Sequence, residues 1–305
     1  MDGIENPNTT FSRWLDDMAA AIPSRDGDRT GTLRHIDVEA RRRAVQSIID
    51  NETYSLSRPI ELGAREGALY GSISIDGSTF SYGSVRPEAP IEVTSVIAGV
   101  DTSKIDAHGH QQTHIDALNH LGRHGSWYGG HSVDDEAAPS LIDLAKTPIV
   151  TRAVVADVPA ARGTDWVDPS EPVTGDDINR ALAASKVNFE PGDALLLYMG
   201  RDRYEAQGNT VRAGDGSVPG AGWDVSRWIV EHQVSVLCWD LQDAVCATEP
   251  FLAVHLLIWA IGQIIVDNCH LADVARSNRA SGMLVIALPP LPGATGFLVN
   301  PVIVT

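Results

Sequence analysis

Five short apolar runs in the second half of the chain limit the available folds more than any other feature. Ala153–Val158, Ala194–Met199, Val234–Trp239, Ile264–Val266 and Leu284–Leu288 each read as a buried strand. Helical patterns lie between them. Thr174-Gly-Asp-Asp177 puts a hydroxyl at a cap position and a carboxylate three residues on, and leads into Ile178, Ala181 and Leu182. Val225–His232 is helical in pattern, and Phe251–Ala260 reads as a buried helix that Gly262 would end. Strands alternating with helices predict α/β layering. The first half is more purely β: Tyr54-Ser-Leu-Ser and Gly71-Ser-Ile-Ser-Ile-Asp-Gly alternate with a two-residue period, and Ile91–Val100 is dense in β-branched residues. Ahead of these, Asp37–Ile49 places Ala40, Ala44 and Ile48 on one helix face. Residues 1–25 are polar enough for an N-terminal arm with a short helix around Phe11–Ala21. No linker divides the remainder, so 26–305 is expected to be a single domain.

Charge narrows the partners. Of 305 residues, 23 are Lys or Arg and 40 are Asp or Glu, a net charge of −17. So acidic a surface repels phosphate backbones and anionic lipid, which argues against nucleic-acid or membrane binding. The longest apolar stretch, near Leu256–Val266, contains Gly262 and Gln263 and falls short of the ~20 residues that span a bilayer. Met1-Asp-Gly-Ile-Glu lacks the basic start and apolar run of a signal peptide. Cys238, Cys246 and Cys269 have no ligand-like spacing, so reduced thiols in a cytoplasmic protein are expected.

Histidine is unevenly placed. His108, His110, His114, His120, His124 and His131 crowd into one short stretch, where even spacing would put about one. Imidazole and carboxylate are the ligands of a borderline divalent metal such as zinc or manganese. In a fully extended strand His110 and His114 would stand about 13 Å apart, too far to share an ion. A helical or looped turn brings positions four apart together. Asp116 reaches the same ion if the chain is extended after His114, because positions two apart share a strand face. A polar loop of surface histidines is the alternative, against which the apolar Ile115 and Leu118 around the Asp count. There is no G-x-S-x-G elbow, Walker loop or H-E-x-x-H. Trp127-Tyr128, just beyond the cluster, suits either a wall for a ring-shaped substrate or ordinary core aromatics.

The stretch resembles the H-x-G-T-H-x-D-x-P-x-H signature of the cyclase family, which includes bacterial kynurenine formamidases, isatin hydrolases and related lactone- and lactam-opening enzymes. His110, Thr113, His114, Asp116 and His120 match, while Gln112 replaces the Gly and Leu118 the Pro. His108-Gly109 is similar to a His-Gly that precedes the signature in longer members. Gly31-Thr-Leu-Arg-His-Ile, Val150-Thr-Arg-Ala-Val-Val-Ala-Asp-Val, Pro191-Gly-Asp-Ala-Leu-Leu-Leu and Gly293-Ala-Thr-Gly-Phe-Leu-Val-Asn-Pro resemble family segments in the same order.

That resemblance implies a swivelling β/β/α-type fold, a mixed β-rich core flanked by helices, usually assembled as a homodimer or homotetramer. It also implies metal-dependent hydrolysis of a small amide, lactam or lactone. His110, His114 and Asp116 would hold a Zn2+ or Mn2+ ion, with His108 as a possible substitute for His110. The family carries a second metal half, a His followed twelve residues later by a Glu. Here His255 is followed by Asp267, one methylene shorter, to complete the site or hold a second ion; a satisfied core histidine is the alternative for His255. His120 falls at the family's general base. Gln112, Leu118 and Asp267 leave open a non-catalytic binding protein with the same fold, and the same residues would serve a cyclase or dehydratase.

Overall fold

The computed structural model describes residues 7–21, 27–60, 63–64, 72–81, 96–211, 216–277 and 279–305. In chain order its elements are α1 (Pro7–Ala21), α2 (Val38–Gln46), β1 (Thr53–Ser55), β2 (Gly63–Ala64), β3 (Ser72–Ser81), β4 (Ile97–Ile105), β5 (His114–Asp116), α3 (Leu141–Ala145), β6 (Ile149–Asp157), α4 (Val158–Arg162), α5 (Gly175–Ser185), β7 (Ala194–Tyr198), α6 (Arg201–Ala206), α7 (Asp224–Glu231), β8 (Val236–Trp239), α8 (Leu257–Ile261), β9 (Ile264–Asp267), α9 (Ala272–Arg276), β10 (Ser281–Ile286), β11 (Gly296–Leu298) and β12 (Val302–Val304). Gly71 and residues 91–95 of the expected early strands lie outside the described residues.

Nine strands form one curled mixed sheet in the order β1-β12-β10-β6-β7-β8-β9-β5-β11. The four apolar runs from β6 to β9 pair in parallel, and antiparallel strands extend the sheet on both sides. Both faces are covered, which is why these runs are continuously apolar. Leu195, Leu197, Leu237 and Trp239 point to one core with Ile178 of α5, Val225 of α7 and Ile258 of α8. Leu196, Val236, Cys238 and Val266 point to the other, with Ala40 of α2, Leu144 of α3 and Val274 of α9. The mixed β-rich core flanked by helices is therefore present. Of the polar N-terminal segment, α1 lies on the body of the fold, burying Phe11 and Leu15 in the first core.

Local chemistry explains the boundaries. Asp37 caps α2 by accepting from the Ala40 N–H, and the Thr174–Asp177 capping box opens α5. One expected helix is shorter. Phe251–Ala260 becomes a series of turns followed by α8, stopped at Gly262 with φ 71°. The carboxylate of Asp243 accounts for this: it accepts the Val254 N–H and contacts His255 Nδ1, anchoring that segment away from regular helix. Strands β2, β3 and β4 make a separate three-stranded sheet whose last strand leads into the histidine stretch. No helix among the described residues is long and apolar enough to cross a membrane.

Candidate metal centre

The site sits at the carboxyl ends of the parallel strands, where open α/β sheets place their ligands. It is built on β5, three fully buried residues held between β9 and β11. His114 and Asp116 lie on one face and Ile115 enters the core on the other, as the two-residue strand period requires. His114 Nδ1 is 2.9 Å from the Gln112 carbonyl. Donation there leaves the Nε2 lone pair facing Asp116 Oδ1 at 3.6 Å and Asp267 Oδ2 at 3.7 Å.

Asp116 is 1% exposed, and neither of its carboxylate oxygens has a hydrogen-bond partner among the described residues. Four imidazoles approach it nonetheless. His108 Nδ1 is 3.2 Å and His120 Nε2 3.8 Å from Oδ1, and His255 Nε2 is 3.8 Å from Oδ2. Buried carboxylates are normally hydrogen-bonded. Donor atoms that gather around one carboxylate without bonding to it converge on a point between them, as ligands of a cation do. Two overlapping groups have ligand atoms within 4.8 Å of one another: His108, Asp116 and His120, and His114, Asp116 and Asp267. Asp116 belongs to both. Burial opposes its charge, but His120, His108 and His114 outweigh it and hold its pKa well below the usual carboxylate range. Imidazole nitrogens with buried carboxylates fit Zn2+ or Mn2+.

His255 and Asp267 complete the wall. His255 Nε2 is 3.1 Å from Asp267 Oδ2, and its Nδ1 is bonded to Asp243. Burial disfavours a charge on this ring, yet Asp267 and Asp243 raise its pKa well above the ordinary histidine value. The other contacts of Asp267 come from Trp239 Nε1 and Gln242 Nε2. The shorter Asp side chain thus reaches the centre, oriented by two donors on the strand end beside it.

Among the expected ligands, His114, Asp116, Asp267 and His255 come together, with His120 beside them. His110 belongs to neither group of close ligand atoms. Its ring lines the same cavity, Nδ1 buried without a partner among the described residues, and burial together with the nearby Arg201 charge lowers its pKa to about 4. Gly109, at φ 122°, turns the chain so that His108 faces Asp116. His108 also stacks on His120, ring centroids 4.1 Å apart. Trp127 and Tyr128 do not line this cavity. Tyr128 is fully buried, with its hydroxyl donating to Asp28, and Trp127 Nε1 donates to the Val133 carbonyl. Asp243, Gln242, Arg201 and Asn268 were not expected at the site. The signal was available: each lies within a few residues after an apolar parallel strand.

The cavity above the cluster has a volume of about 260 Å³. Its outer walls are apolar, from Leu121, Val211, Val218, Val245, Phe251 and Leu252, and no Lys or Arg is among the described residues that line it. Leu252 has φ 53°, and Phe251 beside it is 73% exposed.

The model of a family described as "Putative cyclase" matches residues 49–244. No curated protein matches the sequence. A crystal structure of a novel cyclase superposes with a TM-score of 0.74 at 22% identity, covering 92% of this chain and 95% of that one. Isatin hydrolase A from Labrenzia aggregata, bound to benzyl benzoate, gives 0.57 at 17% identity over 83% of this chain and 94% of its own. An isatin hydrolase bound to the product analogue thioisatinate gives 0.57 at 15% identity over 85% and 92%. At these identities the structures establish a shared fold, and the family match spans more than half of the sequence. The chain belongs to the cyclase family.

Proposed function

We propose that this protein is a metal-dependent hydrolase that opens a C–N or C–O bond of a small, uncharged amide, lactam or lactone. The observation that carries the reading is Asp116: a buried carboxylate with no hydrogen-bond partner among the described residues, ringed by imidazole nitrogens. A divalent ion held there would supply Lewis acidity toward a carbonyl oxygen and lower the pKa of water near neutral pH. His114, Asp116 and Asp267 would hold it, with His108 and His255 at its flanks and the ion identity, Zn2+ or Mn2+, set by the mixed nitrogen and oxygen donors.

The chain's own residues do the rest. His120 keeps 23% of its side chain exposed toward the cavity. Burial lowers its pKa, and Asp116 offsets this in part, so the neutral form of the ring is favoured near pH 7. It takes a proton from water and returns it to the leaving nitrogen or oxygen. Asp243 fixes the ring of His255, and Trp239 and Gln242 fix the carboxylate of Asp267, so neither reorganises as charge develops. Apolar walls with no described cation favour a substrate without a carboxylate of its own.

The test is metal content and turnover on one preparation. Elemental analysis should find at least one divalent ion per chain. Chelation should abolish hydrolysis of isatin or a simple aryl lactone, and added ion should restore it. A metal-replete protein that hydrolyses no member of a panel of isatin, aryl formamides and lactones would overturn the hydrolase reading.

A further inference from the structure

Arg201 is a buried cation outside the ligand set. It opens α6 directly after β7 and is 1% exposed, a costly place for a guanidinium unless its donors are used. They are. Nε donates to Glu205 Oε1 at 2.8 Å, and Nη1 to the Asp240 carbonyl at 3.1 Å and to Asn268 Oδ1 at 2.6 Å. Nη2 donates to the carbonyl of His110.

Asn268, the residue after β9, continues the network. Its Nδ2 donates to the carbonyls of Gly109 at 2.7 Å and Gln112 at 3.1 Å, and its own carbonyl accepts from Thr113 Oγ1 at 2.7 Å. Gly109, His110, Gln112 and Thr113 are thus all tied to two side chains and one carbonyl at the ends of β7 and β9. Among the described residues the β11–β5 ladder reaches this irregular segment only at its end, where the Thr113 carbonyl accepts the Val299 N–H at 3.2 Å, yet the segment brings both His108 and His114 to the same Oδ1 of Asp116. Asn268 has φ 55°, a left-handed conformation that Asn adopts more readily than most residues.

We propose that Arg201 and Asn268 are positioning residues: together they clamp the carbonyls of Gly109, His110 and Gln112 and preorganise the loop that joins His108 to His114. The proposal rests on the metal-dependent reading above, and it extends the functional centre to a guanidinium and a carboxamide that touch neither ion nor substrate. Residues supporting a metal site from behind typically change its affinity by 10- to 100-fold when removed.

Two variants test it. Asn268→Gly deletes the carboxamide, keeps the carbonyl that accepts from Thr113, and tolerates the positive φ. Arg201→Lys keeps the charge and loses the planar fork. In each, Zn2+ affinity measured by competition with a chromophoric chelator should fall at least 10-fold. Amide exchange of the metal-free protein should speed up across segment 108–116 while β6 and β7 exchange as in wild type. Wild-type affinity in both variants would overturn the clamp, as would wild-type exchange across the segment. Should Arg201→Lys fold poorly, Asn268→Gly decides alone. If the wild-type chain takes up no ion, the metal reading fails, and metal-free exchange still decides whether the clamp orders the loop.

Discussion

His114 and Asp267 stand directly opposite each other across the antiparallel pair of β5 and β9, His114 Nε2 lying 3.7 Å from Asp267 Oδ2. Cross-strand pairing, rather than side-chain length, therefore brings the second half of the site to the first. Trp239 and Gln242 then fix the Asp267 carboxylate from beside it. Asp267→Glu would push the carboxylate about 1.5 Å further, the length of one C–C bond. It should lose both donors and bind the ion roughly 10-fold more weakly. Chelator competition checks this; tighter binding by the Glu variant would mean that wild-type Asp267 falls short of the ion.

His120 and His114 should separate in their effects. His114→Ala removes a proposed ligand whose ring is oriented by the Gln112 carbonyl, and ion content should fall to a small fraction per chain. His120→Ala should leave the ion content near normal while cutting turnover by roughly 10²- to 10⁴-fold. Elemental analysis and steady-state rates on the same samples distinguish the two. Loss of the ion from the His120 variant would make that residue a ligand.

Much of this was legible in the sequence because it depends on local periodicity. The His114/Asp116 face follows from the two-residue strand repeat, and the β6–β9 runs are apolar throughout because helices cover both faces. What escaped depends on contacts between distant segments. The choice between His108 and His110 turns on a Gly109 φ of 122° and on hydrogen bonds from Arg201 and Asn268, residues about 90 and 160 positions away. Tyr128 reads equally well as a pocket wall or a core residue. Its place was decided by Asp28, which accepts its hydroxyl, and by Gly262, against which its ring packs.

Asp240 carries a stability prediction. Both of its oxygens accept backbone N–H groups, Oδ1 from Met199 and Leu241 and Oδ2 from Gly200 and Arg201. Asp240→Asn is nearly isosteric, yet it must turn an amide NH2 toward two N–H donors. The loss of two hydrogen bonds to a charged acceptor should cost about 3 kcal/mol. Urea unfolding measures it, and a variant as stable as wild type would show that the neighbouring turn re-forms around the amide.

His35 gives a pH dependence away from the metal centre. Partial burial lowers its pKa to about 4, and the adjacent Arg34 charge adds to the shift. In the unfolded chain it titrates near 6.5. Between these values the unfolded state binds more protons than the folded one, so stability rises with pH. The contribution is fully present above about pH 6.5 and is lost as pH falls toward 4. Because the ring is only half-buried, solvent screening reduces the effect to the order of 1 kcal/mol. His35→Gln cannot charge, so the difference in unfolding free energy between wild type and variant should change by that amount between pH 7 and pH 4.5. Parallel curves for the two proteins across that window would show that His35 keeps an ordinary pKa in the folded state.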